Sequence, residues 1–516
     1  MTLRRRAVLQ GMTTAGLTAG LSGLGSGAAS AKGVSAAGSG PDWAAFDKAV
    51  RAEFSRQKLV GGAVAIVNSD GVLHRLTMGA RDGGRAARIT PDTHFLVAST
   101  TKSMSSLLVS TYVDDRTLEW DQPAIDAWSG FRAPTPELTR TLRVRDLMGM
   151  GTGLAEAPAL STFHQGVPTA AELLASLVNM QVVSAPGKVW IYNNTVYSVG
   201  AYLPLLATGV KSADLTAAYS TAMQERVFGP AGMASTVIAD DPRGRVSNFS
   251  RGHGLDVFGR TDTLPYGAVG SYAPVGGGLS TLNDMANYVR LELRRGKSVT
   301  GKRVVSAGNL AQCWVPGVAV PLDPNIDPDA VSSGYAMGWI RERYKNGSSL
   351  VWHNGAIDGF TGFIGFLPEH DIGMVVLNNM NPFPNGLFLY LYVQMYVLSK
   401  QFGIDEGSPA KVSAAAARGR EGLLAIGPTL HPVDKRHVAP FLGYYEGGYQ
   451  VFFESARLLV QVQSRVIELR LQSGENYVMV DGLLAGVPVA LTRDPDGVPA
   501  MDITGVERVR RTVGLA

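Results

Sequence analysis

A chain of 516 residues, 45% hydrophobic and 17% charged, holds enough apolar material for more than one folded core and is not a disordered polymer. Its formal net charge of +4, with no basic run beyond the N-terminus, lacks the electrostatic footprint that nucleic-acid binding needs. A single cysteine, Cys313, excludes an intramolecular disulfide, and its surroundings read as those of a small buried hydrophobe, not a reactive thiol.

Residues 1–31 are laid out as an export signal. Arg5-Arg6-Ala7-Val8-Leu9 resembles the twin-arginine signal, a mildly apolar stretch follows, and Ala29-Ser30-Ala31 is the small-x-small pattern that suits cleavage after Ala31. Gly and Thr dilute this stretch too heavily for a spanning helix of about 20 apolar residues, so a periplasmic or extracellular protein is expected. Residues 32–41 read as a flexible joint. No integral membrane span is expected in the mature chain. The longest other apolar run, Leu387–Leu398, suits a core helix.

A first domain is expected over residues 42–404. A helix starting at Trp43 leads into VGGAVAIV and GVLHRL, two β-type runs joined through an Asn-Ser-Asp-Gly turn, which predict a hairpin. A second pair, FTGFIGFL and IGMVVLNN, follows near residues 360–378, with mostly helical segments between the two. Strands at both ends with helices in the middle predict an α+β fold: one antiparallel sheet flanked by helices, with a helical lobe facing it and a cleft between. Residues 405–432 have linker-like composition, and the short alternating runs of 433–516 predict a small all-β domain, a sandwich or barrel.

Within HFLVASTTKSM, Ser99 and Lys102 fall one helical turn apart if a helix opens there, which puts a hydroxyl beside an amine. Ser-x-x-Lys also occurs at Ser55 and at Ser408, in a charged helix and in the linker. Only Ser99 follows an apolar run and opens a helix whose Met104, Leu107, Leu108 and Tyr112 recur at helical spacing. Alone, Ser99 also suits a helix N-cap. Catalysis needs a second proton-handling group, oxyanion donors and a substrate-orienting group. Tyr192 and Asn194, after a Pro186-Gly187 turn, and His353-Asn354-Gly355 on a strand supply the residue types.

The order Ser-x-x-Lys, Tyr-x-Asn, His-x-Gly resembles the serine β-lactamase and penicillin-binding-protein superfamily, in its class C-like branch with D-peptidases, DD-carboxypeptidases and carboxylesterases. Thr141–Met148, Gly232-Met233 with Thr236, and Gly276–Thr281 before Asp284 are similar to the same family, so the likeness spans about residues 42–400. Where many relatives read His-Thr-Ser-Gly-Leu, this chain reads Met150-Gly151-Thr152-Gly153-Leu154, which touches pocket shape more than chemistry. The strand-rich tail resembles the lipocalin-like barrels that follow some members.

The resemblance implies a serine hydrolase that forms an acyl-enzyme on Ser99, with Lys102 as base and Tyr192 relaying a proton. It implies an oxyanion hole from the Ser99 and Ala356 N–H groups, and substrate contacts from Asn194, His353 and Gly355. A lysine with an ordinary pKa near ~10.4 serves as a base only if burial or a neighbouring cation depresses it. His353 stands where penicillin-recognising relatives often carry lysine; being mostly neutral at pH 7, it attracts a substrate carboxylate less, which favours ester or amide hydrolysis over β-lactams. A β-lactamase or DD-carboxypeptidase, and a penicillin- or peptide-binding sensor without turnover, are the alternatives.

No cofactor is expected. No Gly-x-Ser-x-Gly or His-Glu-x-x-His occurs, the eight histidines do not cluster at ligand spacing, and the Gly276–Gly278 run reads as a tight turn. The expected partner is a small-molecule or peptide-like substrate, not nucleic acid; the sequence sets no oligomeric state.

Overall fold

The computed structural model describes residues 41–514 except 85–86, 157–166, 323–328, 358, 382–386, 403–407, 463–464, 482–483 and 505–506. The export signal, its cleavage point and all but the last residue of the joint lie outside the described residues.

The chain opens with α1 (Trp43–Arg56), capped by the Asp42 side chain accepting from the Ala45 N–H at 2.9 Å. It then forms the hairpin β1 (Gly61–Val67) and β2 (Val72–Gly79). Every residue of β1 is buried, as a strand covered on both faces must be, whereas β2 is partly open. The middle of the chain is largely helical and contains α2 (Thr101–Asp114), α3 (Asn194–Ala207) and α4 (Leu282–Leu293). Strands then return as β3 (Val318–Ala319), β4 (Ala330–Tyr335), β5 (Ile340–Tyr344), β6 (Ser349–Ile357), β7 (Phe360–Leu367) and β8 (Ile372–Asn378). Together they make one eight-stranded antiparallel sheet in the order β2-β1-β8-β7-β6-β5-β4-β3, so the first hairpin pairs with the last strand across about 300 residues.

Helices cover both faces of this sheet. A Cβ added at Gly62 would meet Phe54 of α1 and Leu389, and one at Gly373 of β8 would meet Val289 of α4. Leu389 belongs to α5 (Leu387–Phe402), which forms where the sequence predicted a core helix. The layout is therefore α+β, with the helical lobe that contains α2 and α3 standing against the sheet.

Residues 408–426, read from composition as a linker, are instead the 19-residue helix α6 (Ser408–Ile426). Alanine is the strongest helix former, and Val412, Ala415, Ala416 and Leu423 give α6 a buried stripe within the main core. Ser413 Oγ donates to Glu53 of α1 at 2.6 Å. Ser408, in the stretch read as a linker, is buried.

Strands β9 (Gly443–Tyr445), β10 (Tyr449–Glu454), β11 (Arg457–Val462), β12 (Arg465–Ser473), β13 (Asn476–Met479), β14 (Pro488–Arg493), β15 (Pro499–Ile503) and β16 (Glu507–Gly514) close into a barrel, β9 pairing with β16. Closure leaves no sheet edge exposed. Its interior is a second core, built of Tyr449, Leu458, Val460, Leu469, Met479, Leu491 and Met501 among others. The barrel meets the larger domain where the Val257 N–H donates to the Val480 carbonyl at 3.1 Å. No helix among the described residues is long and apolar enough to cross a membrane.

Candidate active site

Phe95 and Leu96 form a two-residue strand paired with Gly278–Ser280, and the chain then turns through a tight helical turn, Ala98–Thr100, into α2. Ala98 has φ +48°, a left-handed conformation that costs a non-glycine residue roughly 1 kcal/mol. Strain at the residue just before Ser99 lifts the serine out of the strand direction and onto the helix start. Ser99 is buried, at 8% exposure.

Helix α2 is buried on nearly all sides despite its serines and threonines. The cost of burying those hydroxyls is met by back-bonding and by cross-helix pairs. Ser103 donates to the Thr100 carbonyl at 2.8 Å and Ser110 to that of Ser106 at 2.8 Å, while Ser105 and Ser106 each pair with a tyrosine, Tyr219 and Tyr197, at 2.7 Å. The apolar stripe read from the sequence is thus one part of an all-round burial.

Lys102, fully buried, places Nζ 3.0 Å from Ser99 Oγ and 3.1 Å from the Val275 carbonyl oxygen. A carbonyl only accepts, so one N–H is committed to Val275; in the neutral amine this leaves the lone pair free to face the Ser99 hydroxyl. Loss of solvent holds the Lys102 pKa well below its ordinary 10.5, the charge of Glu156 opposing that shift. Val275 is brought here by the glycine run, which is a helix-to-strand junction in place of the expected tight turn: Ala273–Gly276 is helical, and Gly278 begins the strand whose carbonyl accepts from the Val97 N–H at 2.9 Å.

Tyr192 lies over the amine, its ring centroid 4.7 Å from Lys102 Nζ. Its buried hydroxyl has no hydrogen-bond partner of good geometry among the described residues. Burial raises its pKa, and proximity to Ser99 opposes that rise. Tyr197 plays a packing part, its hydroxyl donating to the Lys102 carbonyl at 2.7 Å.

Backbone bonds fix the segment that carries Tyr192 onto residues 150–155: Val183 N–H to the Gly153 carbonyl at 2.9 Å, Gly187 to Gly151 at 2.7 Å and Ile191 to Met150 at 2.9 Å. Met150, in the place where many relatives carry histidine, is buried and takes the Asn193 N–H on its sulfur at 3.1 Å. Asn193 caps α3 by accepting from the Val196 N–H at 2.8 Å. Asn194, half-buried, donates through its side-chain amide to Glu156 at 3.2 Å. Glu156 itself stands in no motif. No periodicity marks it, and its only signal in the sequence is a carboxylate two residues after Leu154.

Strand β6 supplies the opposite wall. Residues 353–357 pair with β7 only, since β5 pairs with 349–352, and the face of β6 that carries Gly355 packs on the Ser99 turn. Gly355 permits this approach: a Cβ there would lie 2.3 Å from the Val97 carbonyl oxygen and 2.9 Å from the Ser99 nitrogen. Ala356 follows, half-buried, opposite Thr361. His353 is buried with both ring nitrogens engaged: Nδ1 at 2.5 Å from the Asn354 carbonyl, which can only accept, and Nε2 at 3.0 Å from the Tyr335 hydroxyl. Nδ1 therefore carries the proton and Tyr335 donates to Nε2. Burial, together with the Lys102 charge, pushes the His353 pKa down to about 3, so the ring is neutral. Tyr335 was not marked by the sequence.

The remaining family-like stretches brace the site. Thr236 Oγ1 donates to Asp284 at 2.8 Å, the Ser235 N–H donates to the same carboxylate at 2.8 Å, and Ser280 pairs with Thr236 at 2.7 Å, tying α4 to the strand beside Val97.

The profile of the family described as Beta-lactamase matches residues 46–392. The protein named Unguisins hydrolase ungD' from Aspergillus campestris (strain IBT 28561) is 23% identical over 456 residues, 80% of each chain. Penicillin-binding protein 4 of Amycolatopsis lactamdurans is 27% identical over 62% of this chain and 81% of its own. The Beta-lactamase of Escherichia coli (strain K12) is 27% identical over 64% of this chain and 86% of its own. Among solved structures, the octameric penicillin-binding protein homologue from Pyrococcus abyssi superposes with a TM-score of 0.59 at 20% identity, covering 91% of this chain and all of that one. The chain belongs to the β-lactamase family. At the level of that superfamily it is a serine hydrolase of the β-lactamase and penicillin-binding-protein type.

Proposed function

We propose that the protein cleaves an ester or amide bond in a small or peptide-like substrate through an acyl-enzyme on Ser99. The observation that carries this reading is the buried Lys102 amine, 3.0 Å from the Ser99 hydroxyl and oriented by the Val275 carbonyl. Ser99 Oγ attacks the substrate carbonyl carbon while its proton passes to Lys102. The oxyanion forms against the Ser99 and Ala356 N–H groups, the second on the strand that Gly355 allows to approach. As the intermediate collapses, Tyr192 gives its proton to the leaving group and regains one from the Lys102 ammonium. Water then attacks the acyl-enzyme, the same groups taking its proton and returning one to Ser99 Oγ.

Asn194 contacts the acyl-side amide, and His353 contributes shape, not charge. A neutral ring with both nitrogens engaged supports ester or amide substrates over ones held chiefly by a carboxylate. Alignment over 80% of the chain with a protein named as a hydrolase supports turnover over a sensor that acylates once. Relatives named β-lactamase and penicillin-binding protein favour a second reading, in which penicillins or cell-wall peptides are substrates. Arg5-Arg6 and Ala29-Ser30-Ala31 support export through a cleaved twin-arginine signal. Fractionation of producing cells tests it, and full-length protein retained in the cytoplasm refutes it.

Steady-state release of phenol from an aryl ester, compared with Ser99→Ala, tests the mechanism: the variant should lose turnover while keeping its thermal transition, and wild-type rates in it refute the reading. Mass spectra after treatment with a fluorophosphonate and with a penicillin separate the substrate classes. A lasting phosphonyl adduct on Ser99 from the first marks the nucleophile for either class; a penicilloyl adduct on Ser99 that persists favours the ester or amide reading, and rapid release of opened penicillin favours the other.

A further inference from the structure

Glu156 belongs to none of the motifs that mark the site, yet the first turn of α3 closes on its carboxylate. The Asn194 N–H donates to Oε1 at 2.6 Å, the Thr195 N–H to the same oxygen at 3.0 Å, and the Asn194 side-chain amide to Oε2 at 3.2 Å. An acid at a helix N-terminus is favoured by the unpaired N–H groups and the helix dipole. Helix α3, however, already has its N-cap in Asn193. What Glu156 adds beyond a helix start is a hold on the side chain of Asn194.

That hold has a direction. A carboxylate only accepts, so it takes an N–H of the Asn194 amide and turns Oδ1 away from itself. The titratable groups that face Glu156 are Lys102 on α2, Tyr192 on the segment before α3, and Tyr272, whose hydroxyl lies 2.9 Å from Thr195 Oγ1. Lys102 is the cation that couples to it, each charge favouring the other.

We propose that Glu156 is a positioning residue of this site, orienting the Asn194 amide for the acyl side of the substrate. The inference rests on the reading of Ser99 as the acylated nucleophile. Burial pushes Glu156 up to about 7, so its charge changes near neutral pH. Once protonated it can donate to Asn194 Oδ1, which reverses the amide, and its pull on Lys102 is lost.

Glu156→Gln keeps an acceptor for the Asn194 and Thr195 N–H groups and removes the charge. Lys102 then loses its proton more readily, so the acid limb of kcat/KM for an aryl acetate moves down by about one pH unit. Glu156→Asp retains the charge and leaves the limb near its wild-type position. Toward an N-acyl amino-acid ester, which offers an acyl-side amide, Glu156→Gln loses about tenfold more kcat/KM than toward the acetate. In an Asn194→Ala background that extra loss disappears. Equal losses on both esters overturn the inference. Fluorophosphonate labelling separates the two levels: a labelled Ser99 with equal losses on both esters sinks the role of Glu156 alone, whereas turnover persisting in Ser99→Ala sinks the underlying mechanism.

Discussion

Gly355→Ala is the sharpest test of how the sheet is docked on the nucleophile. The added methyl carbon would start 2.3 Å from the Val97 carbonyl oxygen, 2.9 Å from the Ser99 nitrogen and 3.1 Å from Ala98 Cβ. Ordinary contacts to carbon lie near ~3.4 Å or beyond, so β6 and the Ser99 turn must part by about 1 Å. Two of the three atoms met are backbone, which cannot swing aside as a side chain can. Because β6 is locked by its ladder with β7 through Ile357, the displacement falls on the strained turn at Ala98–Thr100. A misplacement of about 1 Å at reacting groups costs on the order of 100-fold in rate, and overpacking of this kind costs about 1–3 kcal/mol of stability. The assay is kcat/KM for an aryl ester alongside thermal unfolding. Gly308→Ala serves as control, since nothing lies within 4 Å of a Cβ there. A Gly355→Ala enzyme that stays folded and keeps wild-type kcat/KM would refute the close docking of β6 on Ser99.

Three further outcomes follow from the same geometry. Lys102→Ala and Tyr192→Phe should each lower kcat by orders of magnitude, and the double variant should lose little more than the worse single one; additive losses in a full kinetic cycle would show that the two do not act as a unit. Glu292, buried on α4 beside Trp314 Nε1 at 3.1 Å, is pushed up to about 8 by burial, so the fold favours its neutral form. The unfolded chain ionises this group near its ordinary 4.5, so its contribution is fully present below that pH and is lost progressively as pH rises to about 8. Glu292→Gln, which keeps an acceptor for Trp314, should flatten that part of the stability profile in urea titrations at pH 5 and pH 8; an unchanged slope would refute the assignment. Removing residues 408–516 strips Val412, Ala415, Ala416 and Leu423 from the main core and should lower the thermal transition of the remaining domain, whereas an unchanged transition would show that α6 adds nothing to it.

The sequence by itself was enough for the two hairpins, the strand-rich tail and the meeting of Ser99 with Lys102, because each depends on local spacing, whereas the strands over 318–344 fell where mostly helical segments were expected. Ser99 and Lys102 meet through helical periodicity, β1 and β2 through a short turn, and the barrel strands through alternation, each a relation between residues near in the chain. Composition misled over α6, since alanine-rich segments with scattered charge suit a linker until a neighbouring helix such as α5 offers them a place to bury. What only the tertiary structure decided are contacts between distant pieces and contacts made by backbone. The Val275 carbonyl that orients Lys102 lies 173 residues away and has no side-chain signature. Glu156 reaches Asn194 across 38 residues, and Tyr335 occupies the nitrogen of His353 that a motif would have left to substrate. The physical reason is that burial and hydrogen-bond closure are set by whatever packs alongside, so spacing along the chain names the reactive atoms while their surroundings in space set which proton each one holds.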